Sequence, residues 1–195
     1  MTGWILRLFN AGLNRRAVEA LPLTSRARVL EIGFGPGHAL SLLAGRVPDG
    51  SVSGIDPSPV MTRQARRRNR EALRAGRMEL RSGTADALPW PEGSFDAVLS
   101  LNNVLFWRPL EGSLSEIRRV LLPRGVCLIG LHGAAARVIT GARSKALQQV
   151  DHYLMPSFDR AGFTPVRRWE VRTATGRAVL YLLTRPAAGA SLAHP

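Results

Sequence analysis

The spacing of apolar and polar residues changes along the chain, and this change distinguishes the predicted helices from the predicted strands. Apolar residues at helical spacing predict an amphipathic helix over residues 4–21, which ends at Pro22. Further along, short runs of residues predict strands, of which the first, an apolar run at 29–32, is expected to be buried. These runs cover residues 29–32, 51–56, 78–81, 94–101 and 126–131.

Helical patterns fill the intervals between these runs, so strands and helices alternate, which predicts an α/β fold with a largely parallel sheet. Of these helices between strands, the first starts at Pro36, and the second has Ser58 as its N-cap and Pro59 in its first turn. That second helix is expected to run to about Arg74, with Gly76 as its C-terminal cap. Later segments are predicted as helices at 111–122 and 134–149, a short helix ending at Ala161, and an antiparallel pair of strands at 163–171 and 178–184.

A glycine-rich turn follows the first apolar run. The run carries one acid, Glu31, and leads into Gly33, Gly35 and Gly37. Glycine suits such a turn because the backbone bends sharply and a ligand can approach it without meeting a Cβ atom. The third glycine comes one residue earlier than in the dinucleotide fingerprint, where His38 stands instead, and this spacing argues against a nicotinamide cofactor.

Polar side chains stand at the ends of the later strands, where open α/β sheets bind their ligands. Asp56 ends the second strand, about 20 residues beyond the glycine turn, which is the spacing of a carboxylate that accepts both ribose hydroxyls. Asp86 follows the third strand, where it can accept a hydrogen bond from an adenine amine, and the N–H of Ala85 can complete that recognition. Asn102 and Asn103 follow the fourth strand.

Taken together, these features resemble the class I S-adenosylmethionine-dependent methyltransferases, most closely their small-molecule type 11 branch. The resemblance rests on the acid-x-Gly-x-Gly-x-Gly turn, Asp56, the Ala85-Asp86 segment and the turn at 122–125, and it extends over residues 25–185. It implies an α/β, Rossmann-like three-layer sandwich with an N-terminal helical cap. The implied seven-stranded sheet is mostly parallel, with the order 3-2-1-4-5-7-6 and strand 7 antiparallel.

The resemblance also implies S-adenosylmethionine as the cofactor and assigns residues to it. Glu31 and the backbone of the glycine turn are expected at its methionyl part, and the segment after the fourth strand at the same part. The residues expected to bind the cofactor are Glu31, Gly33, Phe34, Gly35, Gly37, Asp56, Pro57, Met61, Ala85, Asp86, Leu101 and Asn102. No metal is expected.

The methyl acceptor is expected beside the end of the fourth strand. Its pocket is predicted to be formed by Phe9, Asn103, Phe106, Trp107 and Tyr153. His132, at the end of the fifth strand, is the candidate general base, which an alcohol or a carbon acid would require and an amine or acidic phenol would not. His38 opens the helix after the glycine turn and is a candidate partner of the methionyl carboxylate.

The composition is strongly basic, with 27 Lys and Arg against 14 Asp and Glu, which gives a net charge of +13. Such a surface attracts nucleic acids, anionic membranes or anionic substrates. No basic motif with interleaved aromatic residues is present, and the arginines of the second helix are expected to form a solvated face. Residues 102–105 also lack the Asn/Asp-Pro-Pro-Tyr/Phe motif that clamps an amino group in many nucleic-acid methyltransferases.

A small-molecule acceptor is therefore favoured, of a metabolite, quinone-like, natural-product or lipid kind. The alternatives are an RNA or nucleic-acid methyltransferase and a cofactor-binding protein without transfer activity. Residues 1–185 are expected to form one domain, with 1–24 as a helical cap that acts as a lid or contacts lipid, and 186–195 as a flexible tail. A single cysteine and no apolar run of about 18 residues favour a cytoplasmic protein without a membrane span.

Overall fold

The computed structural model describes residues 2–140 and 146–187, and the side chains of residues 11–137 and 146–187. Its helices are α1 (Thr2–Ala20), α2 (His38–Arg46), α3 (Pro59–Arg68), α4 (Arg70–Arg74), α5 (Leu110–Val120), α6 (Gly133–Thr140) and α7 (Ala146–Arg160), with a 3₁₀ turn at Val104–Phe106. Its strands are β1 (Arg28–Ile32), β2 (Ser51–Ile55), β3 (Met78–Arg81), β4 (Phe95–Leu101), β5 (Leu121–His132), β6 (Thr164–Thr173) and β7 (Gly176–Thr184).

Within the described residues, the strands form one seven-stranded sheet with the order β3-β2-β1-β4-β5-β7-β6. The pairs among β1 to β5 are parallel, and β7 runs antiparallel to both β5 and β6. This confirms the predicted fold and strand order. Because parallel strands end at one edge, the segments after β1, β2, β4 and β5 lie side by side there.

Apolar side chains cover both faces of the sheet and make a three-layer structure. One core cluster joins the sheet to α5 and α7 through residues such as Leu114 and Phe158. The other joins the opposite face to α1 and α2 through residues such as Leu13 and Leu40. Helix α1 packs against α2, β5 and β6, so the predicted N-terminal cap is a packed layer of the fold.

The boundaries of several elements differ from the predicted ones. The single helix expected from Ser58 to Arg74 is interrupted at Asn69, a buried residue whose side chain turns towards the glycine turn. Residues 134–140 and 146–149 are helical, as predicted for 134–149, and residues 141–145 lie outside the described part. The separate short helix expected to end at Ala161 was wrong, because α7 continues without a break from Ala146 to Arg160. The predicted caps of the α3–α4 segment are confirmed: Ser58 Oγ accepts from Met61 N, and Gly76 has a φ of 69°.

None of the helices in the described part of the chain is long and apolar enough to cross a membrane.

Candidate cofactor and active site

The glycine turn after β1 uses its three glycines for different physical reasons. All three have positive φ, at 69° for Gly33, 51° for Gly35 and 78° for Gly37. A Cβ atom on Gly33 would lie 2.1 Å from Asn103 Nδ2, and one on Gly37 would lie 2.7 Å from Asn69 Nδ2. A Cβ atom on Gly35 would meet nothing within 4 Å. The outer glycines therefore let protein side chains approach, and the middle one faces open space.

Side chains from distant elements hold the backbone of this turn. Gly35 N donates to Asp56 Oδ2 at 2.9 Å. Asn103 Nδ2 lies 3.0 Å from Gly33 O and also donates to the carbonyls at the ends of β1 and β4. On the other side, Asn69 Nδ2 donates to Gly37 O at 3.0 Å. The turn is thus fixed before any ligand binds, which lowers the entropic cost of binding.

Asp56 is buried at the end of β2, beside the turn. Its Oδ2 atom accepts from Gly35 N and its Oδ1 atom accepts from Ser58 N at 2.8 Å. Each carboxylate oxygen has two lone pairs, so one acceptor position on each oxygen remains for a ligand hydroxyl. The geometry is compatible with the ribose contact expected from the sequence.

Glu31 is a buried acid on β1 with an incomplete set of partners. The residue is only 4% exposed, and its Oε2 atom is buried without a hydrogen-bond partner among the described residues. Burial raises the pKa of Glu31 well above its ordinary value, the neighbouring Asp56 charge raises it further, and the Leu40 backbone N–H acts in the opposite direction. An uncompensated acid of this kind is costly, and a ligand ammonium group would supply the missing donor.

A crevice of about 140 Å³ opens between the ends of β1, β2, β3 and β4. Of the residues expected at the cofactor or the acceptor, it is lined by Gly33, Pro57, Ala85, Asp86, Asn103, Phe106 and Trp107. Thr84, Arg108 and Ser113 also line it and were missed by the sequence analysis, because no motif marks them. Carboxylate acceptors and an apolar wall at the ends of neighbouring strands fit a nucleoside, so the residues present suit S-adenosylmethionine.

Other expected site residues lie away from the surface of this crevice. Phe34 and Leu101 belong to the buried core beneath the turn. Met61 lies half-buried in the first turn of α3, and Tyr153 is 55% exposed on α7. Phe9 belongs to the part of α1 whose side chains are not described.

Asn102 connects the ends of two neighbouring strands. It adopts a left-handed conformation with a φ of 60°, and its Oδ1 atom accepts from His132 N at 2.7 Å. Its backbone N–H donates to Gly130 O at 2.8 Å. Asn102 therefore joins the end of β4 to β5, while the next residue, Asn103, joins the end of β4 to the glycine turn.

His132 is buried at the end of β5, with both ring nitrogens engaged. Nδ1 accepts from Ala134 N at 3.1 Å, so the neutral ring carries its proton on Nε2. Nε2 lies 3.3 Å from Thr173 Oγ1 and 3.2 Å from Thr175 Oγ1. Burial lowers the pKa of His132, and the Arg137 charge lowers it further. These contacts favour a structural role and argue against the predicted role as a general base.

His38 begins α2 directly after the glycine turn. Its Nδ1 atom lies 3.2 Å from Asn14 Nδ2, a contact that connects the turn to α1. Burial lowers the pKa of His38, and Arg68 and Arg15 lower it further. The imidazole is therefore neutral near pH 7 and links α1 to the turn.

Comparisons with known proteins show which family this chain resembles. Residues 29–125 match the model of a family described as "Methyltransferase domain". The chain is 28% identical over 166 residues to the uncharacterized methyltransferase YdaC of Bacillus subtilis, with 85% of this chain and 87% of that protein covered.

Two further relatives have named acceptors. The chain is 36% identical over 113 residues to the demethylmenaquinone methyltransferase of Thermus thermophilus, with 57% of this chain and 50% of that protein covered. It is 35% identical over 120 residues to the trans-aconitate 2-methyltransferase of Methylobacterium radiotolerans, with 59% of this chain and 43% of that protein covered. The matched regions thus cover half of the first and less than half of the second.

Among solved structures, the [4+2]-cyclase SpnF is similar to this chain with a TM-score of 0.76 and 21% identity, covering 91% of this chain and 82% of that chain. At this identity the likeness concerns the fold alone. The sheet order, the glycine turn and the sequence matches together define the class: the chain belongs to the class I S-adenosylmethionine-dependent methyltransferases.

Proposed function

We propose that this methyltransferase transfers the methyl group of S-adenosylmethionine to a small-molecule acceptor. The observation that carries the proposal is the glycine turn, whose middle glycine faces open space beside two buried acids, Glu31 and Asp56. One acid has an unpartnered oxygen suited to an ammonium group. The other has acceptor positions left for ribose hydroxyls. Relatives named for menaquinone and aconitate substrates support an acceptor of small size.

Each end of the cofactor has its own set of residues in this proposal. Glu31 and the turn backbone bind the methionyl end, and Asp56 binds the ribose. Asp86 and the N–H of Ala85 bind the adenine in the crevice, with Trp107 as part of its apolar wall. Because the turn is held from several sides, these groups keep their relative positions when the ligand arrives.

The cofactor supplies, when bound, an electrophilic methyl group on a sulfonium. The chain's own contribution is alignment, because the nucleophilic atom of the acceptor must approach opposite the leaving sulfur. His132 holds its Nε2 proton towards two threonine hydroxyls and is not poised to remove another. We therefore propose an acceptor whose nucleophile needs no protein base, such as a phenolate, a carboxylate or a neutral amine.

Replacement of Asp56 tests the cofactor site. Asp56→Ala should weaken the binding of S-adenosylhomocysteine by about 1.5–3 kcal/mol, the worth of hydrogen bonds to a charged group. Isothermal titration calorimetry measures this affinity, and Asp159→Ala, which removes an exposed acid at the end of α7, serves as the matched control. Equal affinities of Asp56→Ala and the unchanged chain would remove Asp56 from the ribose site.

A specific observation supports RNA as a second candidate acceptor. Arg63, Arg67, Arg70 and Arg74 are exposed on α3 and α4 and form no ion pair within the described residues. If this face binds RNA, the affinity falls steeply between 50 and 200 mM salt, as expected when several phosphates are neutralised. Methyl transfer to RNA in a filter-binding assay with labelled cofactor would favour this candidate over a small molecule.

A further inference from the structure

A second cavity, of about 450 Å³, lies beside the end of β5. We call it the β5 cavity. Its volume falls within the range of small-molecule sites, and its walls come from β5, α6, α7 and the turn between β6 and β7. It is lined by His132, Gly133, Ala134, Arg137, Ala146, Leu147, Gln148, Glu170, Thr175, Gly176 and Arg177.

The β5 cavity and the cofactor crevice lie on the same edge of the sheet. Asn103 lines the crevice, and the adjacent Asn102 accepts a hydrogen bond from His132 N, which lines the β5 cavity. β1, β4 and β5 are consecutive in the sheet. With neighbouring strands about 4.8 Å apart, the end of β5 lies about 10 Å from the glycine turn. An acceptor of ordinary metabolite size can therefore reach from this cavity to the methyl group.

The charged side chains around the β5 cavity are only partly compensated. Arg137 forms no ion pair within the described residues, although its charge acts on His132. Among the described residues, Arg177 forms an ion pair with Glu170 alone, at 3.7 Å, and the side chain of Arg177 is 67% exposed. Glu170 also forms an ion pair with Arg168, at 3.3 Å. The described lining of the cavity therefore contains two guanidinium groups and one carboxylate.

We infer that the β5 cavity binds a carboxylate group of the acceptor, so that the acceptor is a small carboxylic acid. The methyl group goes to a second nucleophilic group of that acid, such as a phenolate or another carboxylate, while the bond from carbon to sulfur breaks and S-adenosylhomocysteine leaves. The inference rests on the proposed methyl transfer and names its substrate class. Arg137 and Arg177 bind the carboxylate, since a guanidinium donates two parallel N–H bonds to a carboxylate. The hydroxyl of Thr175 and the amide of Gln148 are the polar groups beside them.

The balance of charge favours a carboxylate over a phosphate ester. Among the described residues, the lining has one more positive than negative charge, because Glu170 opposes one of the two arginines and burial lowers the pKa of His132. One surplus positive charge matches a monoanion, whereas a phosphate monoester carries between one and two negative charges near pH 7. A neutral acceptor such as a hydroquinone would leave both guanidinium groups without a ligand partner.

The test offers the intact chain methyl-labelled S-adenosylmethionine and a panel of acceptors. The panel contains hydroxybenzoic acids and aliphatic di- and tricarboxylic acids, trans-aconitate among them, each paired with its primary amide, and hydroquinone as a neutral acceptor. Arg137→Gln and Arg177→Gln are compared with Arg26→Gln, a matched control on an exposed arginine in the turn before β1. We expect acids to be methylated with a kcat/KM at least tenfold above that of their amides. Each cavity variant should raise KM for the acid at least tenfold, with the cofactor Kd unchanged and Arg26→Gln within twofold of the original chain.

Three results would overturn the inference. The chain could prefer the amides or hydroquinone to the acids, or the cavity variants could methylate the acids as well as the original chain does. The third result is that inorganic phosphate binds as tightly as the best acid. If no acceptor is methylated, the acids are titrated by calorimetry into the chain saturated with S-adenosylhomocysteine, and their binding decides whether the cavity assignment holds. Acid binding that Arg137→Gln weakens tenfold upholds the cavity assignment, and no binding, or binding that the variant leaves unchanged, rejects it. Failure of the chain to bind S-adenosylhomocysteine itself counts against the proposed function instead.

Discussion

Glu31 connects the stability of the protein with its proposed function at the scale of one residue. Its Oε2 atom is buried without a hydrogen-bond partner, and burial and the Asp56 charge raise its pKa. The native state therefore retains a proton that the unfolded chain has already lost over a range of pH above the ordinary glutamate value. In that range the free energy of unfolding falls as the pH rises, because the native state binds more protons.

Replacing Glu31 with its neutral isostere should separate these two effects. At pH 8, Glu31→Gln should have a higher free energy of unfolding than the original chain, because glutamine neither ionises in the interior nor has to take up a proton when the chain folds. The difference should shrink as the pH falls to about 4, where the carboxyl is protonated in both states. Urea denaturation at several pH values measures this.

The same variant should lose cofactor affinity while it gains stability. S-adenosylhomocysteine should bind Glu31→Gln about 1.5–3 kcal/mol more weakly, because its ammonium group loses a charged acceptor. Calorimetry at pH 8 provides the affinity. A variant that is less stable than the original chain at pH 8 would contradict the account of Glu31.

Glycines at the ends of helices show how single elements are terminated. Gly76 follows α4 with a φ of 69°, and a Cβ atom there would meet nothing within 4 Å. Gly45 lies in the last turn of α2, and a Cβ atom there also meets nothing within 4 Å. The two sites offer the same space and differ in backbone conformation.

Alanine at the two positions should therefore change stability in opposite directions. Gly76→Ala should lower the free energy of unfolding by about 1–2 kcal/mol, the cost of a left-handed L-residue. Gly45→Ala should raise it by about 0.5–1 kcal/mol, because alanine loses less backbone entropy in a helix. Chemical denaturation of both variants measures the pair, and each serves as the control of the other. Equal effects would show that conformation at Gly76 does not limit stability.

Net charge acts at the scale of the whole molecule. With a net charge of +13 on 195 residues, the positive side chains of the native state repel one another, and unfolding relieves part of this repulsion. Within the described part of the chain, three ion pairs, Arg28–Asp96, Arg81–Glu79 and Arg160–Glu111, have both partners exposed and contribute little to stability. Added salt screens the repulsion more than it weakens these pairs.

The melting temperature should therefore rise when potassium chloride is increased from 20 to 200 mM. A gain of about 1 kcal/mol would shift it by about 2–4 °C in a chain of this size. Arg63→Glu combined with Arg74→Glu, on the exposed arginine face of α3 and α4, lowers the net charge and should reduce the salt effect. Differential scanning calorimetry provides both values, and a melting temperature that falls with salt would show that ion pairs outweigh repulsion.

The sequence by itself determined the order of strands and helices and the placement of Gly35 and Asp56 at strand ends. These features follow from local periodicity, from apolar runs and from the fixed spacing between one strand end and the next. The turn chemistry of Ser58 and Gly76 is local in the same sense, which is why it could be predicted.

Only the tertiary structure decided which side chains meet across the sheet edge. Three sets of hydrogen bonds join residues more than 25 positions apart. Asn69, where the α3–α4 segment is interrupted, bonds to Gly37, Asn103 bonds to Gly33, and His132 bonds to two threonines. Such contacts depend on the packing of whole elements, since hydrogen-bond partners leave no periodic trace along the chain. For the same reason, the unpartnered oxygen of Glu31 and the two arginines of the β5 cavity could be identified only when the burial and the neighbours of these residues were known.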